Sequence, residues 1–481
     1  MKLPHVPASG HVMAALAAVL HLGASAVAAE KAPSPIDLPT ALKLAGARSL
    51  DIQLAKERVA EARAQQTGAL LQFAPTLSPG ATLRRHDNAA QNVEGRVIDA
   101  DKRGWTVGPA LNLQVDLGES AYKLLAARQL TKAAAFAEEG QRQESILSAA
   151  LAYCDLAKAQ AAEAIAQDAV DISRDYERQV TSAVEAGIAF KGEELRARGQ
   201  MERDQLTLRQ CREAREVAGA RLVHVLHLEP GLQLKADGRV TPVEFVKKDQ
   251  SLPQLISQAR SHRPELGQSA AQIEAARQSR SAAVYGPLWP TLSGQAFGGA
   301  LGGGFNGGDY QTRESEDYQV SLGWRIGPGG LFDSSRTKAA EARLGMARIS
   351  AEKVSDDIGR QITESWARVR SLSDQITIAQ RTVEAARRTL ELTRERREFA
   401  VGSVLETILS AQELTRARLE WLGIVAEHNK AQFALSRALG TTPNPAPKES
   451  APASAGSEDK KKAPKNPQSS KNSKGSKDSK G

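Results

Sequence analysis

The sequence is poor in the residues on which metal sites and covalent catalysis depend. Its 481 residues include only 2 cysteines and 8 histidines. No nucleophile motif, paired-carboxylate cleft or dinucleotide-binding fingerprint is present, so the sequence predicts neither an enzyme nor a cofactor. His224 and His227 lie three residues apart on a predicted helix, but only Glu229 is close to them and the helix ends there. We therefore expect no metal site.

The two cysteines, Cys154 and Cys211, lie on either side of Gly187, where a helical hairpin is predicted to turn. At a rise of 1.5 Å per residue they would lie about 14 Å out of level, which is too far for a disulfide. The sequence thus favours two reduced, buried thiols over the bridge that an oxidising compartment would permit.

Long hydrophobic runs are absent beyond the N-terminus. Lys2, the apolar run 12–20 and the small residues 26–29 have the order of a secretory signal peptide. The alternative is a short membrane anchor, but the run is too short to span a bilayer. The predicted cleavage site has no cysteine, the residue that would carry a lipid anchor. The rest of the chain has no run of about 18 apolar residues, so an exported protein would be either soluble or a membrane barrel.

Clustered positive charge is absent from the part of the chain that is predicted to fold. The net charge is +8, but residues 448–481 carry 9 lysines against 4 acidic residues. Elsewhere acids and bases alternate along predicted helices, which argues against a nucleic-acid interface. The tail is predicted to be disordered and solvated. Contact with anionic polymers of the cell envelope is the alternative for this tail.

What the sequence does contain is one pattern that occurs twice, 215 residues apart. Residues 75–77 and 290–292 both read Pro-Thr-Leu, and Gly187 matches Gly402 at the same offset. Internal repetition at a fixed period indicates architecture before any single motif does. The predicted divisions are a signal peptide (1–29), a first repeat (30–228), a connecting segment (229–251), a second repeat (252–440) and a Lys/Ser/Pro-rich tail (441–481).

Alternation of apolar and polar residues predicts strands in both repeats. Every odd position from Trp105 to Leu117 is apolar or proline. In the second repeat every even position from Tyr318 to Ile326 is apolar, which is the same alternation at the repeat offset of 215. A strand places such residues on one face, whereas a helix would scatter them. The strands that begin at Pro75 and Pro290 show the pattern more weakly. The residues predicted to face lipid are Trp105, Val107, Leu111, Leu113, Val115, Tyr318, Val320, Leu322, Trp324 and Ile326.

These strands have the length that an outer membrane requires. About 12 residues, tilted near 45°, span about 28 Å. An amphipathic hairpin on a soluble core would show similar alternation. The glycine-rich segments 86–104 and 298–317 join the strands of each pair. They are predicted to be surface loops, because a phosphate-binding loop would lead from a strand into a helix and carry a lysine.

Each strand pair is followed by roughly 68 residues without proline, 119–186 and 334–401. As straight helices these segments would reach about 100 Å. Apolar residues from Val354 to Val383 step by three and four, as a helix-packing seam does. Helical sequence resumes after Gly187 and Gly402. Each repeat therefore predicts a long antiparallel helical hairpin with its tip at a glycine.

Four strands cannot close a membrane barrel, and open strand edges are not tolerated in lipid. The sequence therefore predicts strands shared between copies of the chain. At this point it resembles the TolC-like outer-membrane efflux proteins over residues 36–440. The motifs that carry the resemblance are the paired Pro-Thr-Leu strand starts, the strand-to-helix junction 331–333, the tip 400–402 and the segment 409–412 (Leu-Ser-Ala-Gln).

The resemblance implies a mostly helical protein that forms a homotrimer. Four strands per chain would contribute to a shared 12-stranded outer-membrane barrel, and the helical hairpins would form a periplasmic tunnel. Adaptor contact is implied at the tips, for which we select Gly187, Ile188, Gly402, Ser403 and Val404. Many family members narrow the tunnel with aspartates, where this chain has Thr407 and Ser410. The acids available nearby are Glu193, Glu194 and Glu406, which either form a constriction or are simply solvated.

The sequence thus predicts a passive export duct of a tripartite efflux or type I secretion system. Its partners would be itself, a periplasmic adaptor, indirectly an inner-membrane pump, and outer-membrane lipid. The alternative is an exported helical scaffold or adhesin-like protein without a pore. The apolar alternation at 105–117 separates the two, because a soluble scaffold would have to bury that face.

Overall fold

A computed structural model describes residues 34–247, 249–305, 311–398 and 404–441 of the chain. In the first repeat the elements are β1 (Ser34–Ile36), α1 (Leu38–Arg48), α2 (Leu50–Leu71), β2 (Thr76–His86), β3 (Ala89–Gln91), β4 (Val97–Asp99), β5 (Lys102–Asp116), α3 (Leu117–Glu185) and α4 (Lys191–Val225). The connecting segment contains β6 (Leu234–Ala236). The second repeat contains α5 (Leu252–His262), α6 (Pro264–Tyr285), a 3-10 turn (Gly286–Leu288), β7 (Thr291–Phe305), β8 (Gln311–Gly323), α7 (Ser334–Glu398) and α8 (Val404–Ala438).

Two very long helices give the molecule its length. α3 has 69 residues and α7 has 65, so each extends about 100 Å. Both are free of proline and rich in residues that favour helix. None of the described helices is apolar over a stretch long enough to cross a lipid bilayer.

The helices form a wall whose order changes along its length. Next to the strands α3 packs on α2 and α6, and α6 packs on α7. Toward the hairpin tip α3 packs instead on α4 and α8, and α8 packs on α7. The helix order α2-α3-α6-α7 therefore matches the strand order β2-β5-β7-β8. Each strand of this sheet lies beside its own helix in the chain.

Residues 36–72 and 252–286 each form two helices separated by a short break. In residues 252–286 the break falls at Arg263, which is extended because Pro264 follows it. In residues 36–72 the break falls at Ser49, whose side chain hydrogen-bonds Ser145 at 3.2 Å. The connecting segment also contains structure, because β6 pairs in parallel with β1. This pair adjoins the largest buried cluster, which is formed mainly by α1, α3 and α4.

The second strand pair differs from its prediction in two respects. β7 runs on to Phe305 and β8 begins at Gln311, so most of the segment 298–317 is strand and not loop. The glycines of this segment predict a loop, but in this sheet glycine provides room for a neighbouring side chain. β8 also ends at Gly323, so Trp324 and Ile326 are not strand residues. The glycines and proline of segment 327–330 turn the chain there, and only an isolated bridge joins Ile326 to Leu331.

Candidate functional site

The register of the four-stranded sheet gathers its large apolar side chains onto one face. Leu111 of β5 pairs with Leu77 of β2 and with Ala296 of β7, and Ala296 pairs with Tyr318 of β8. Side chains two residues apart share a face. The large members of this apolar face are therefore Leu77, Leu83, Trp105, Val107, Leu111, Leu113, Val115, Leu292, Tyr318, Val320 and Leu322.

Most of this apolar face is uncovered in the single chain. Leu83 and Val320 are each 80% exposed, and Tyr318 is 74% exposed. Val115 is the exception: it is 3% exposed, so the prediction that it faces lipid is wrong for this position. Val115 lies one residue before the end of β5, where the sheet meets the helices. An exposed apolar patch of this extent marks an interaction surface.

Small residues carry the apolar face across β7, and the sequence predicted the strand only weakly and not beyond residue 297. Gly302 pairs with Trp105, and a Cβ on Gly302 would lie 2.5 Å from the indole of Trp105. The indole therefore lies over the glycine. The alternation of Leu292, Gly294, Ala296, Gly298, Ala300 and Gly302 is the signal that could have identified this strand.

The opposite face of the sheet is mainly polar where it meets the helices. It presents Asn112, Gln114 and Asp116 of β5 beside Ser293 and Gln295 of β7. The Thr291 hydroxyl donates a 2.5 Å hydrogen bond to the Asp116 carboxylate. A cavity of about 640 Å³ lies along this polar face and the adjoining ends of α2 and α3. The sheet thus has one face suited to lipid and one suited to water.

The hairpin tip between α3 and α4 is built as the sequence predicted. Gly187 has φ +73°, and the Ile188 amide donates to the Ala183 carbonyl at 2.8 Å, which closes the end of α3. Ile188 is 83% exposed and Phe190 is 77% exposed. The Phe190 ring lies against Gly192, where a Cβ would approach it to 2.8 Å. Gly402 and Ser403 lie outside the described residues, and Val404 begins α8.

The backbone of Gly187 provides a test of this tip. No atom lies within 4 Å of a Cβ placed on Gly187, so the left-handed backbone alone determines the cost of a side chain. We expect Gly187→Ala to destabilise the hairpin by about 1–2 kcal/mol. Gly345, within α7, is equally open, and Gly345→Ala should stabilise by up to about 1 kcal/mol. Thermal unfolding of both variants checks this, and equal shifts of one sign would contradict it.

Two of the three predicted constriction acids are engaged by cations of the same chain. Glu194 lies 2.5 Å from the Lys191 ammonium, and Glu406 lies 2.9 Å from the Arg396 guanidinium. The described residues provide no ionic partner for Glu193. These pairs reduce the negative charge that the three acids would present at a tunnel mouth.

A partly buried polar layer joins the two hairpins just above the tips. The side-chain amide of Gln412 on α8 donates a 2.5 Å hydrogen bond to the side-chain oxygen of Gln200 on α4. The side-chain NH2 of Gln200 donates in turn to the Asp204 carboxylate at 2.9 Å. Burial raises the pKa of Asp204, although hydrogen bonds from Ser173 and Gln200 partly oppose the rise. The layer lies directly above an apolar cluster that contains Tyr176, Val180, Ala197 and Ile408.

The raised pKa of Asp204 predicts a pH dependence of stability. Between the ordinary and the folded pKa the folded chain binds more protons, so its free energy of unfolding falls as pH rises through that window. Asp204→Asn should remove this slope and slightly raise the unfolding temperature at neutral pH. Asp175→Asn, at an exposed site on α3, is the matched control. An unchanged slope in the Asp204 variant would contradict the assignment.

The cysteines are placed broadly as predicted. Both thiols are free; Cys154 is buried, whereas Cys211 is only half-buried. Burial raises the pKa of Cys154 to about 12, which keeps it protonated and unreactive.

Comparison with solved structures identifies the fold. Over 84% of this chain, a membrane protein from Pseudomonas aeruginosa superposes with a TM-score of 0.72 at 20% identity, covering 92% of that chain. The outer membrane channel CmeC of Campylobacter jejuni gives 0.72 at 18% identity, covering 84% of this chain and 85% of its own. The open MtrE channel of Neisseria gonorrhoeae gives 0.67 at 17% identity, with 84% and 89% covered. Among curated proteins no sequence matched the chain.

The fold is therefore that of outer-membrane channel proteins. Residues 41–226 and 255–441 each match the outer membrane efflux protein family, and the chain belongs to that family. Membership locates it in the bacterial outer membrane, with its helical part in the periplasm.

Proposed function

We propose that three copies of the chain close a 12-stranded barrel in the outer membrane. The observation that supports closure is the pair of free edges, β2 and β8, in the order β2-β5-β7-β8. All neighbours in this sheet are antiparallel, so β2 and β8 are antiparallel to each other. β8 of one copy can therefore pair with β2 of the next. Lipid requires such closure, because unpaired backbone groups are costly there.

The barrel and the helical wall beneath it would form a passive export duct. The apolar face from Trp105 to Leu113, which ends before the buried Val115, covers 9 residues, which at a tilt near 45° span about 21 Å. That is close to the apolar band of an outer-membrane barrel, which is about 25 Å tall. With the apolar face toward lipid, the polar face lines the interior. The duct would serve a tripartite efflux or type I secretion system whose energy comes from an inner-membrane pump.

The tips of the helical hairpins are the proposed docking points for a periplasmic adaptor. Ile188 and Phe190 are the most exposed large apolar residues of the first tip, and Gly187 and Gly192 hold the backbone and ring in place. Exposed aromatic and aliphatic residues are suited to a partner that buries them. In the second repeat the corresponding contacts would come from Gly402, Ser403 and Val404.

The acids near the tips give a prediction about ion preference. If Glu193 and Glu406 line a constriction, Glu193→Ala combined with Glu406→Ala should lower the preference for cations in reversal-potential measurements. The effect should be moderate, because Arg396 already offsets Glu406. Glu413→Ala, farther along α8, is the control. An unchanged preference in the double variant would remove the acidic constriction from the proposal.

The decisive experiment is to purify the mature protein in detergent and record from planar bilayers. Discrete conductance from an SDS-resistant trimer is the expected result. A monomer that is stable without detergent and gives no conductance would contradict the proposal. That outcome would favour the exported scaffold or adhesin-like protein.

A further inference from the structure

Two acidic residues lie on the apolar face of the sheet, on its free edge strand β8. Glu314 and Glu316 are an even number of residues from Tyr318, Val320 and Leu322, so they face the same way as these apolar residues. Both glutamates are exposed in the single chain. A charge that faces lipid is costly unless an opposite charge lies close to it. The two glutamates therefore need a partner if this face meets lipid.

The part of the chain that the structure describes provides no such partner on this face. In the sheet register Glu314 lies level with Ala300 of β7, and Glu316 lies level with Gly298. The Tyr318 hydroxyl donates to Glu316 at 3.3 Å, but no cation among the described residues pairs with either glutamate. A partner for them has to come from beyond the edge of the sheet.

The other free edge, β2, carries the complementary charge at the end away from the helices. Arg85 is an even number of residues from Leu77 and Leu83, so it belongs to the same face. It lies opposite Arg103 of β5, and like charges directly across a strand pair are destabilising. Asp87 contacts Arg85 at 2.6 Å, but a guanidinium has several N–H donors and can hold a second carboxylate. The two free edges of the sheet therefore carry opposite charges on the same face.

We infer that Glu316 of one copy forms an ion pair with Arg85 of the next copy, and that this pair sets the register in which the copies join. Opposite charges directly across a strand pair attract each other. With Glu316 opposite Arg85, apolar side chains of β8 also lie opposite apolar side chains of β2: Tyr318 with Leu83, Val320 with Ala81 and Leu322 with Pro79. The inference rests on the proposed trimer, because β2 and β8 are the two outermost strands of one sheet.

This register also gives the strands a tilt that suits a membrane barrel. Within one copy, the row of paired residues that begins at Thr76 passes through Asn112 and Gln295 to Gln319. In the inferred register the row continues to Thr82 of the next copy, a shift of about six residues over four strands. At about 3.3 Å per residue and about 4.8 Å between strands, the shift corresponds to a tilt of about 45°. Strands of outer-membrane barrels tilt by about 35–45°.

Two neighbouring registers would keep the same faces together, and both fit less well. A shift by two residues toward a smaller tilt, about 35°, places Glu314 opposite Arg85 but Glu316 opposite Leu83, so an acid lies beside a leucine in the lipid-facing layer. A shift by two residues in the other direction places Tyr318 opposite Arg85 and gives about 55°, which is outside the range of membrane barrels. The registers therefore differ in which glutamate meets Arg85.

Charge reversal in the full chain, refolded into detergent, tests the ion pair. Arg85→Glu should lower the yield of SDS-stable trimer at least about tenfold, because it places like charges opposite each other. Adding Glu316→Arg should restore at least about half of the yield, and adding Glu314→Arg should restore much less. Arg103→Glu is the matched control and should leave the yield unchanged, since Arg103 shares the face of Arg85 but lies on an inner strand. An unchanged yield with Arg85→Glu, or better rescue by Glu314→Arg, would overturn the inference.

Cysteine pairs give a second measurement that does not depend on charge. Ala81→Cys with Val320→Cys should join copies through disulfides at least about threefold more than Ala81→Cys with Tyr318→Cys, since only directly opposite Cβ atoms lie about 5 Å apart. Ala81→Cys alone is the control for the two native thiols. More cross-linking by the Tyr318→Cys pair would overturn the inferred register and leave the trimer in place. If the unaltered chain gives no trimer and neither pair cross-links, β2 and β8 do not meet, and the proposed function fails.

Discussion

Leu111→Arg is expected to abolish stable membrane insertion, whereas Asn112→Arg in the next position should be tolerated. Leu111 lies near the middle of the apolar face, between Leu77 of β2 and Ala296 of β7. Arginine at the midplane of a lipid-facing strand costs about 2–4 kcal/mol. At about 1.4 kcal/mol for each tenfold change in an equilibrium constant, the inserted fraction should fall by one to three orders of magnitude. This estimate is for one chain; the proposed trimer contains three copies of the substitution, so its loss should be larger.

Asn112 is the matched control because it belongs to the same strand and faces the other way. Its neighbours are Thr76 and Gln295, both on the polar face. An arginine there would extend into water inside the barrel. Insertion is measured as the fraction of urea-resistant, SDS-stable trimer after refolding into vesicles. Equal losses in the two variants would show that the sheet does not separate lipid from water, and the proposed duct would fail with it.

The strands show how much of the sheet can be predicted from the alternation of apolar and polar residues. On β5 the large apolar residues at odd positions all lie on one face, as the sequence predicted, because side chains alternate between the two faces of a strand. Burial of Val115 could not be predicted, since it depends on helices that pack below the sheet. Alternation indicated β7 only weakly, because its apolar positions are mostly Gly and Ala. The reason for Gly302 is the indole of Trp105, which is almost 200 residues away in the chain.

For the helices, too, the sequence predicts some features and not others. The absence of proline and the positions of Gly187 and Gly402 predicted the lengths of α3 and α7 and the first tip. Helix order within the wall could not be predicted, because small alanines such as Ala149 and Ala150 pack equally well on any partner. The ion pairs at the tip were also missed. Lys191 and Glu194 lie three residues apart on α4, a spacing that does indicate a pair. The pair of Arg396 with Glu406 instead depends on a contact across the turn that no sequence spacing specifies.

A second large effect is expected where α8 ends against the beginning of α6. Arg437, in the last turn of α8, donates to the Glu265 carboxylate at 2.6 Å, and Glu265 is in the first turn of α6. Arg263 donates in turn to the Arg437 carbonyl at 3.2 Å and to Gln361 of α7. Each charge complements the helix end beside it. The cluster thus joins three helices at the level where the wall changes its order.

Arg437→Met should destabilise the protein by about 2–3 kcal/mol, because it leaves the half-buried Glu265 without its strongest partner and with only Arg263 nearby. Burial by itself would raise the pKa of Glu265, but the hydrogen bond and charge of Arg437 overcome it and lower the pKa. The stability from this pair is therefore present above the ordinary carboxyl pKa and is lost as pH falls through the lowered value. In the variant the loss on acidification should disappear.

Arg368→Met provides the comparison, because Arg368 of α7 also reaches across to α8. It lies 3.1 Å from Glu427, but its side chain is 65% exposed, so its loss should cost less than about 1 kcal/mol. Adding Glu265→Gln to Arg437→Met should recover part of the stability, since the buried charge is then removed. Unfolding temperatures followed by circular dichroism give all three values. Similar losses for Arg437→Met and Arg368→Met would mean that water reaches the junction and screens its charges, and the buried cluster would not be what holds α6, α7 and α8 together.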